Sequence, residues 1–359
     1  MKNLIILSLL ILAACDVSHT NESSQAAWSF NGFVKLDSVN PILSPDSNFV
    51  FNCPVQNQIV HWQSKNVLNP TAFVKGGKVY LLYRAQDSAM TSRLGLAISE
   101  DGIHFTKQAA PLFYPAQDIV LKYEWKGGVE DPRIVSIPNN GYLLTYTAYD
   151  GKTARLCFAT SFDLVHWEKH GPVLQSPKYI NSWSKSGAIV VEQKGEKMVA
   201  KKINGKYWMY FGDTDLFMAS SDDLLHWDAL ENSENQKLVS VLQPRAGYFD
   251  SRLVEPGPYA LYTKNGIVLM YNSSNAANNN DTTQPKFTYA AGQALFDGNA
   301  PYKLLDRSSH YFIHPDKPYE LIGEVNNVCF VEGLVFFKNQ WLLYYGTADT
   351  KIAVAFARP

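Results

Sequence analysis

The sequence predicts an all-β protein assembled from a repeated unit, and three observations predict it. Five segments share one pattern: YLLYRAQD (80–87), YLLTYTAYD (142–150), YWMYFGDTD (207–215), IVLMYNSSN (267–275) and WLLYYGTAD (341–349). Their central aromatics, Tyr83, Tyr146, Phe211, Tyr271 and Tyr345, are spaced by 63, 65, 60 and 74 residues, the mark of a structural repeat. Four residues past each aromatic stands Asp87, Asp150, Asp215, Asn275 or Asp349. Finally, the first three copies continue into a second apolar run and a turn ending in His-Phe or His-Trp, at 104–105, 166–167 and 226–227. β-branched and aromatic alternation bounded by Asp-Gly and Asp-Asp reads as strand, turn, strand. Units of about sixty residues with three or four antiparallel strands each, arranged radially, make a β-propeller, and five copies make five blades. A two-sheet sandwich has no reason to repeat at this period.

The elements follow in chain order. MKNLIILSLLILAAC carries Lys2 and then an apolar run from Leu4 to Ala14, too short to span a bilayer. It has the shape of a secretory signal, and LAAC resembles a lipobox, which implies cleavage before Cys15 and a lipid on its thiol. The expected organisation is a signal peptide at 1–14, a lipidated tether at 15–30, and a five-bladed propeller domain at 31–359. Such a protein faces the periplasm or the cell surface and touches membrane only through its lipid. Cys53, Cys157 and Cys329 form no paired framework and no CxxC; Cys157 and Cys329 lie in apolar runs and are expected as buried small hydrophobes. Without HExxH or a Cys cluster, neither metal nor cofactor is expected.

Ahead of each repeat aromatic lies a shorter strand, beginning near NPTAFV (69–74), EDPRIV (130–135), SKSGAIVV (184–191), VEPGPYAL (254–261) and EGLVFF (332–337). In a propeller these strands line the central channel, so their polar starts converge at one mouth. Asn69, Glu130 or Asp131, Lys185 with Ser186, Glu255 and Glu332 are the residues brought together. A funnel of several carboxylates and a lysine is where charge-dependent chemistry would sit. The repeated tyrosines and His-Trp pairs are expected to pack between blades, and the repeated Asp to accept backbone N–H bonds in turns. Departures from the repeat carry more information. Asp213 has no acidic counterpart, Glu255 precedes Pro-Gly-Pro, and Glu332 lies inside CFVEGLVFF, where an unpaired carboxylate is costly. Paired carboxylates across a pocket suit glycosidic cleavage, with the two groups about 6.5–9.5 Å apart in inverting enzymes. With 32 basic and 33 acidic residues, the chain has no electrostatic reason to bind nucleic acid.

GGVEDPRI (127–134), the SxDLxHW-like turns, YAAGQALFD (289–297) and YYGTADTKIAVA (344–355) resemble glycoside hydrolase family 130, the β-mannoside phosphorylases and β-mannosidases. The likeness runs from about Asn69 to the C-terminus and implies a five-bladed propeller. It implies that Asp131 is the proton donor, acting through the mannose 3-hydroxyl. The phosphorylase pattern is broken at Trp183-Ser184-Lys185-Ser186, Phe211-Gly212-Asp213, Tyr271-Asn272-Ser273 and Phe330-Val331-Glu332-Gly333, where cationic phosphate ligands give way to acids. A carboxylate repels phosphate but can activate water. The resemblance therefore points to the hydrolytic branch: an inverting, exo-acting β-1,2-mannosidase on mannan-type oligosaccharides, with Glu255 and Asp213 activating water. Asn69, Arg84, Glu130, Arg133, Lys185, Asp150, Glu332 and Asp349 would make up the sugar subsite, although Arg133 reads equally well as a structural partner of Glu130 or another acid. The rivals are a phosphorylase, a glycan-binding propeller without catalysis, and a glycosidase for another sugar. Nothing in the sequence addresses oligomeric state.

Overall fold

The computed structural model describes residues 26–359; the signal peptide, Cys15 and the tether up to residue 25 lie outside them. Alternating apolar residues in segments rich in Val, Ile, Leu and Tyr produce strands, and turns carrying Gly, Asn and Asp separate them. A short N-terminal strand, β1 (Val34–Lys35), and a hairpin of β2 (Phe51–Cys53) and β3 (Gln58–Val60) come first. A meander then runs through β4 (Asn66–Lys75), β5 (Lys78–Gln86), β6 (Ser92–Ser99) and β7 (Thr106–Lys107). The next contains β8 (Gly128–Ile137), β9 (Gly141–Tyr149), β10 (Ala154–Ser161) and β11 (Glu168–Pro172).

The third unit is less regular. Its innermost strand β12 (Ala188–Lys194) pairs both with β13 (Lys197–Ala200) and with β14 (Tyr207–Phe211), followed by β15 (Phe217–Ser221) and β16 (Asp228–Ala229). In the fourth, Pro256-Gly257-Pro258 splits the inner strand into β17 (Leu253–Pro256) and β18 (Ala260–Thr263), both paired to β19 (Gly266–Ser274), with β20 (Tyr289–Phe296) and β21 (Leu304–Arg307) outside. The last unit combines β22 (Cys329–Phe337), β23 (Gln340–Thr347) and β24 (Lys351–Ala357) with β1, so the first strand completes the final sheet. The result is a nearly all-β, propeller-like molecule with only short helical turns such as Leu121–Glu124 and Pro318–Leu321. Trp28 and Phe30, which the sequence reading left in the tether, are docked on it. Trp28 Nε1 donates to Asp306 at 2.7 Å, and Phe30 packs edge-on against Trp341.

The repeat aromatics are buried, and most of them carry a polar network. The hydroxyls of Tyr146, Tyr271 and Tyr345 donate to Glu124, Asp250 and Glu320 at 2.8, 2.8 and 2.9 Å, and Tyr83 donates to Gln63 at 3.3 Å. Each acceptor is fully buried. Each also holds a cation from the outermost strand: Lys169 on Glu124, Arg307 on Asp250, Lys35 on Glu320 and Lys107 on Gln63. Those cations occupy one register position, opposite Ala159, Ala294, Ala355 and Ala97. The third unit lacks the network: Phe211 has no hydroxyl, and the residue opposite Ala219 is Ala229.

The three His-aromatic turns are built alike. Asp101, Asp163 and Asp223 each accept two backbone N–H bonds and hold the following histidine Nδ1 at 2.7 Å. The histidines face solvent while Trp227 packs inward. Cys157 and Cys329 are free and buried, as expected, and so is Cys53.

Candidate functional site

The channel residues are delivered by bulges in the inner strands. Pairing slips between Leu68 and Pro70 in β4, between Glu130 and Arg133 in β8, and between Val331 and Gly333 in β22. A bulge leaves its extra residue outside the ladder and re-aims its side chain. The residues so released are Asn69, Asp131 with Pro132, and Glu332. Asn69 and Asp131 adopt left-handed backbone, φ 45° and 48°, as does Ser186 at 56°. Asn and Asp tolerate this region, and Pro, which has no N–H to pair, is at home in a bulge. Gly128, φ 103°, lets β8 pass against Ser92, where a Cβ would overlap backbone.

These side chains form one connected ion network. Arg84 donates to Glu130 at 2.7 Å and to Asp131 at 3.1 Å, while the Asn69 amide donates to the same Asp131 oxygen at 2.8 Å. Lys185 Nζ stands 3.6 Å from Asp131 Oδ2 and 4.0 Å from Glu255 Oε1. The Ser186 hydroxyl donates to Glu255. Deeper, Arg133 lies 2.9 Å from Glu332 and donates to the Pro256 and Gly257 carbonyls at 2.6 and 2.7 Å. That ion pair is poorly aligned: both Glu332 oxygens, like Asn69 Oδ1, are buried without a directed hydrogen bond.

Burial and charge push the acids apart. Burial favours the neutral form of Asp131, but Arg84, Lys185, the Asn69 hydrogen bond and Arg133 outweigh it and hold the carboxyl well below the usual range. Burial raises Glu255 despite Lys185, with Asp131 and Asp213 adding to the rise. Glu130 is raised by burial against the pull of Arg84, and Glu332 is raised strongly, Arg133 notwithstanding. Asp349 is pushed up to about 6 by burial, partly offset by Arg84. Carboxyls with divergent proton affinity in one cleft mark a site able to hold and move a proton.

The family model for beta-1,4-mannooligosaccharide phosphorylase, glycoside hydrolase 130, matches residues 34–358. The chain belongs to glycoside hydrolase family 130. It is 32% identical over 305 residues to a 1,2-beta-oligomannan phosphorylase from a Thermoanaerobacter species, covering 82% of this chain and 90% of that one. A glycosyl hydrolase structure from Bacteroides ovatus superposes with TM-score 0.91 at 43% identity, covering 93% of this chain and 96% of that one. A family 130 structure from work on hydrolases that target β-1,2-mannosidic linkages in Candida mannan gives the same score, identity and coverage.

Within this family 130 chain the structure brings Asn69, Arg84, Glu130, Asp131, Arg133, Lys185, Glu255 and Glu332 into one network. Asp349 stands near enough to feel Arg84, Asp131 and Lys185. Asp150 faces its own turn instead, accepting the Lys152 and Thr153 N–H groups and pairing with Arg155 at 2.7 Å. Asp213 is near Lys185 and Glu255, but its Oδ2 accepts the Trp183 indole N–H at 2.7 Å. Arg133 partners Glu332; Glu130 belongs to Arg84. Sequence reasoning gave no role to Ser92, which links Arg84 to Glu130, or to Tyr289, whose phenol feels Glu255, Asp349 and Lys185. Tyr289 opens YAAGQALFD, a signal that was available; Ser92 had none.

Proposed function

We propose that this family 130 enzyme is a five-bladed propeller that hydrolyses β-mannosides with inversion, acting from the chain end on β-1,2-linked mannan-type oligosaccharides. The five meanders, closed by β1, support the blade count. One observation carries the choice of water over phosphate: the channel cations are already committed. Arg84 serves Glu130 and Asp131, Lys185 serves Asp131 and Glu255, and Arg133 serves Glu332. A phosphate dianion would have to displace carboxylates from these partners in a buried site, where unpaired charge is most costly. A water molecule bears no such penalty.

In the proposed reaction Asp131 is the acid and Glu255 the base. Asp131 is ionised at rest, so in this reading it takes up a proton on binding sugar, whose 3-hydroxyl accepts a hydrogen bond from the neutral carboxyl and so favours that form. It then protonates the leaving oxygen through the mannose 3-hydroxyl, while ionised Glu255 accepts a proton from the attacking water. Asp131 Oδ2 and Glu255 Oε1 are no farther apart than their 3.6 and 4.0 Å distances to Lys185 laid end to end. That limit reaches into the ~6.5–9.5 Å that admits a water. The Glu332 and Asn69 oxygens, which accept no directed hydrogen bond, are acceptors for sugar hydroxyls.

Incubation with β-1,2-mannobiose decides the reading. Mannose released equally with and without phosphate is the expected result. The second reading, phosphorolysis, is favoured by the relationship to the oligomannan phosphorylase, and mannose 1-phosphate formed only with phosphate would establish it. Asp131→Asn and Glu255→Gln should each lower kcat/KM by about 10²–10⁴-fold. The lipid anchor belongs to the same proposal: Cys15→Ser should move the protein from the membrane fraction to the soluble one.

A further inference from the structure

The third unit lacks the buried network of its neighbours, and a pocket opens beside its repeat aromatic. Phe211 replaces the tyrosine and Ala229 the cation. A cavity of about 240 Å³ lies against Phe211, lined also by Leu174, Trp183, Asp213, Phe217 and Leu238 among others, far more than one water of ~30 Å³ requires; Ala229 lines a separate one. Its rim is Trp183, a large aromatic left 54% exposed. The indole is fixed rather than loose: Nε1 donates to Asp213 at 2.7 Å, and the ring meets Tyr149 edge-on at 6.4 Å. Asp213 Oδ1 takes no hydrogen bond from any described residue. The pocket adjoins the ion network: Asp213 in its lining is near enough to act electrostatically on Lys185 and Glu255, and the Gly212 N–H donates to the Lys185 carbonyl at 2.9 Å.

We infer that the Trp183–Asp213 pocket is the leaving-group subsite, where the sugar next to the cleaved bond stacks on the Trp183 indole and donates a hydroxyl to Asp213 Oδ1. This rests on the hydrolytic reading above, in which Glu255 is the base, and turns Asp213, expected from the sequence to share that role, into a residue that binds the leaving sugar. An aromatic face, an apolar floor and one carboxylate suit a pyranose, which offers an apolar C–H face and a hydroxyl edge. Aromatic stacking in a fixed geometry adds about 0.5–1.5 kcal/mol, up to roughly tenfold in affinity.

The test compares β-1,2-mannotriose with β-mannosyl fluoride, whose leaving group is too small to reach Trp183. Trp183→Ala should raise KM for the trisaccharide about tenfold and lower its kcat/KM relative to the fluoride by a similar factor. Asp213→Asn should shift the same ratio in the same direction, and Trp183→Phe should restore most of it. Phe162→Ala, an exposed aromatic in the turn after β10, is the control and should leave the ratio alone. An unchanged ratio in Trp183→Ala overturns the subsite. So does an Asp213→Asn enzyme that loses both substrates as completely as Glu255→Gln, because Asp213 would then act in the chemistry. If the wild type cleaves neither substrate, the mannoside reading fails separately. Calorimetric titration with a panel of β-linked disaccharides then decides the pocket: weaker binding by Trp183→Ala supports it, while equal binding or none at all sinks it.

Discussion

Asp349 and Asp131 titrate in opposite directions within one channel. The Asp349 carboxyl is raised from 3.8 to about 6, so the folded protein binds that proton more tightly than the unfolded chain. Its stabilising contribution is whole below pH 3.8 and is lost as pH rises through about 6. Asp349→Asn should therefore increase unfolding free energy at pH 7 by up to about 3 kcal/mol and flatten its dependence between pH 4 and 6, as read by urea denaturation. Asp131 is lowered, so its contribution is present above the unfolded value and disappears as pH falls. In the proposed reaction Glu255 must be ionised, so kcat/KM should decline on acidification through a pKa above the ordinary glutamate value. Glu255→Gln should abolish that limb along with most of the activity. The convergence of Asn69, Asp131, Glu255 and Glu332 was legible because each stands near the start of an inner strand, beside Pro or Gly where the ladder is interrupted. The engagement of Asp213 by Trp183 was not legible, since thirty residues separate them and only the packing of the loop before β12 joins them.

Among elements, the tyrosine, acid and cation set is the device that ties a middle strand to an outer strand and to the segment entering the sheet. Half of it was visible. The tyrosines recur on strands at constant offsets, whereas Gln63, Glu124, Asp250 and Glu320 lie 20–25 residues ahead of them in connecting segments, where the residue type changes and no strand alternation marks the position. Removing one partner of a buried ion pair costs about 3–5 kcal/mol, while replacing both by apolar groups is often neutral. Lys169→Met alone should destabilise by about that much, and Lys169→Met with Glu124→Leu should recover most of it, measured by chemical denaturation. A single variant within about 1 kcal/mol of wild type would show the pair to be dispensable. The strand periodicity that revealed the repeat could not reveal that its third copy is hollow, because a Phe for Tyr exchange reads as conservative.

On the scale of the whole molecule, the N-terminal strand is the part that periodicity did not anticipate. Val34–Lys35 is two residues long and has no alternation, yet it pairs with β24 and sends Lys35 to buried Glu320 at 2.7 Å. A protein beginning at residue 32 retains that strand and should fold, with some loss from the missing Trp28 and Phe30 contacts. One beginning at residue 38 leaves Glu320 unpaired and β24 with an open edge, a template for association. It should elute as aggregate in size-exclusion chromatography, and a monomer with native circular dichroism would refute the importance of the closure.

That closure also fixes an order of events in the cell. Lys35 is among the first residues of the sheet to be synthesised, and its partner Ala355 is among the last. At ~5–20 residues per second, the two are separated by roughly 15–60 s of translation. Throughout that interval the early strand has no partner and the late edge does not yet exist. The channel ion pairs divide along the same line: Arg84 can meet Glu130 and Asp131 once the second unit is made, whereas Arg133 must wait about two hundred residues for Glu332.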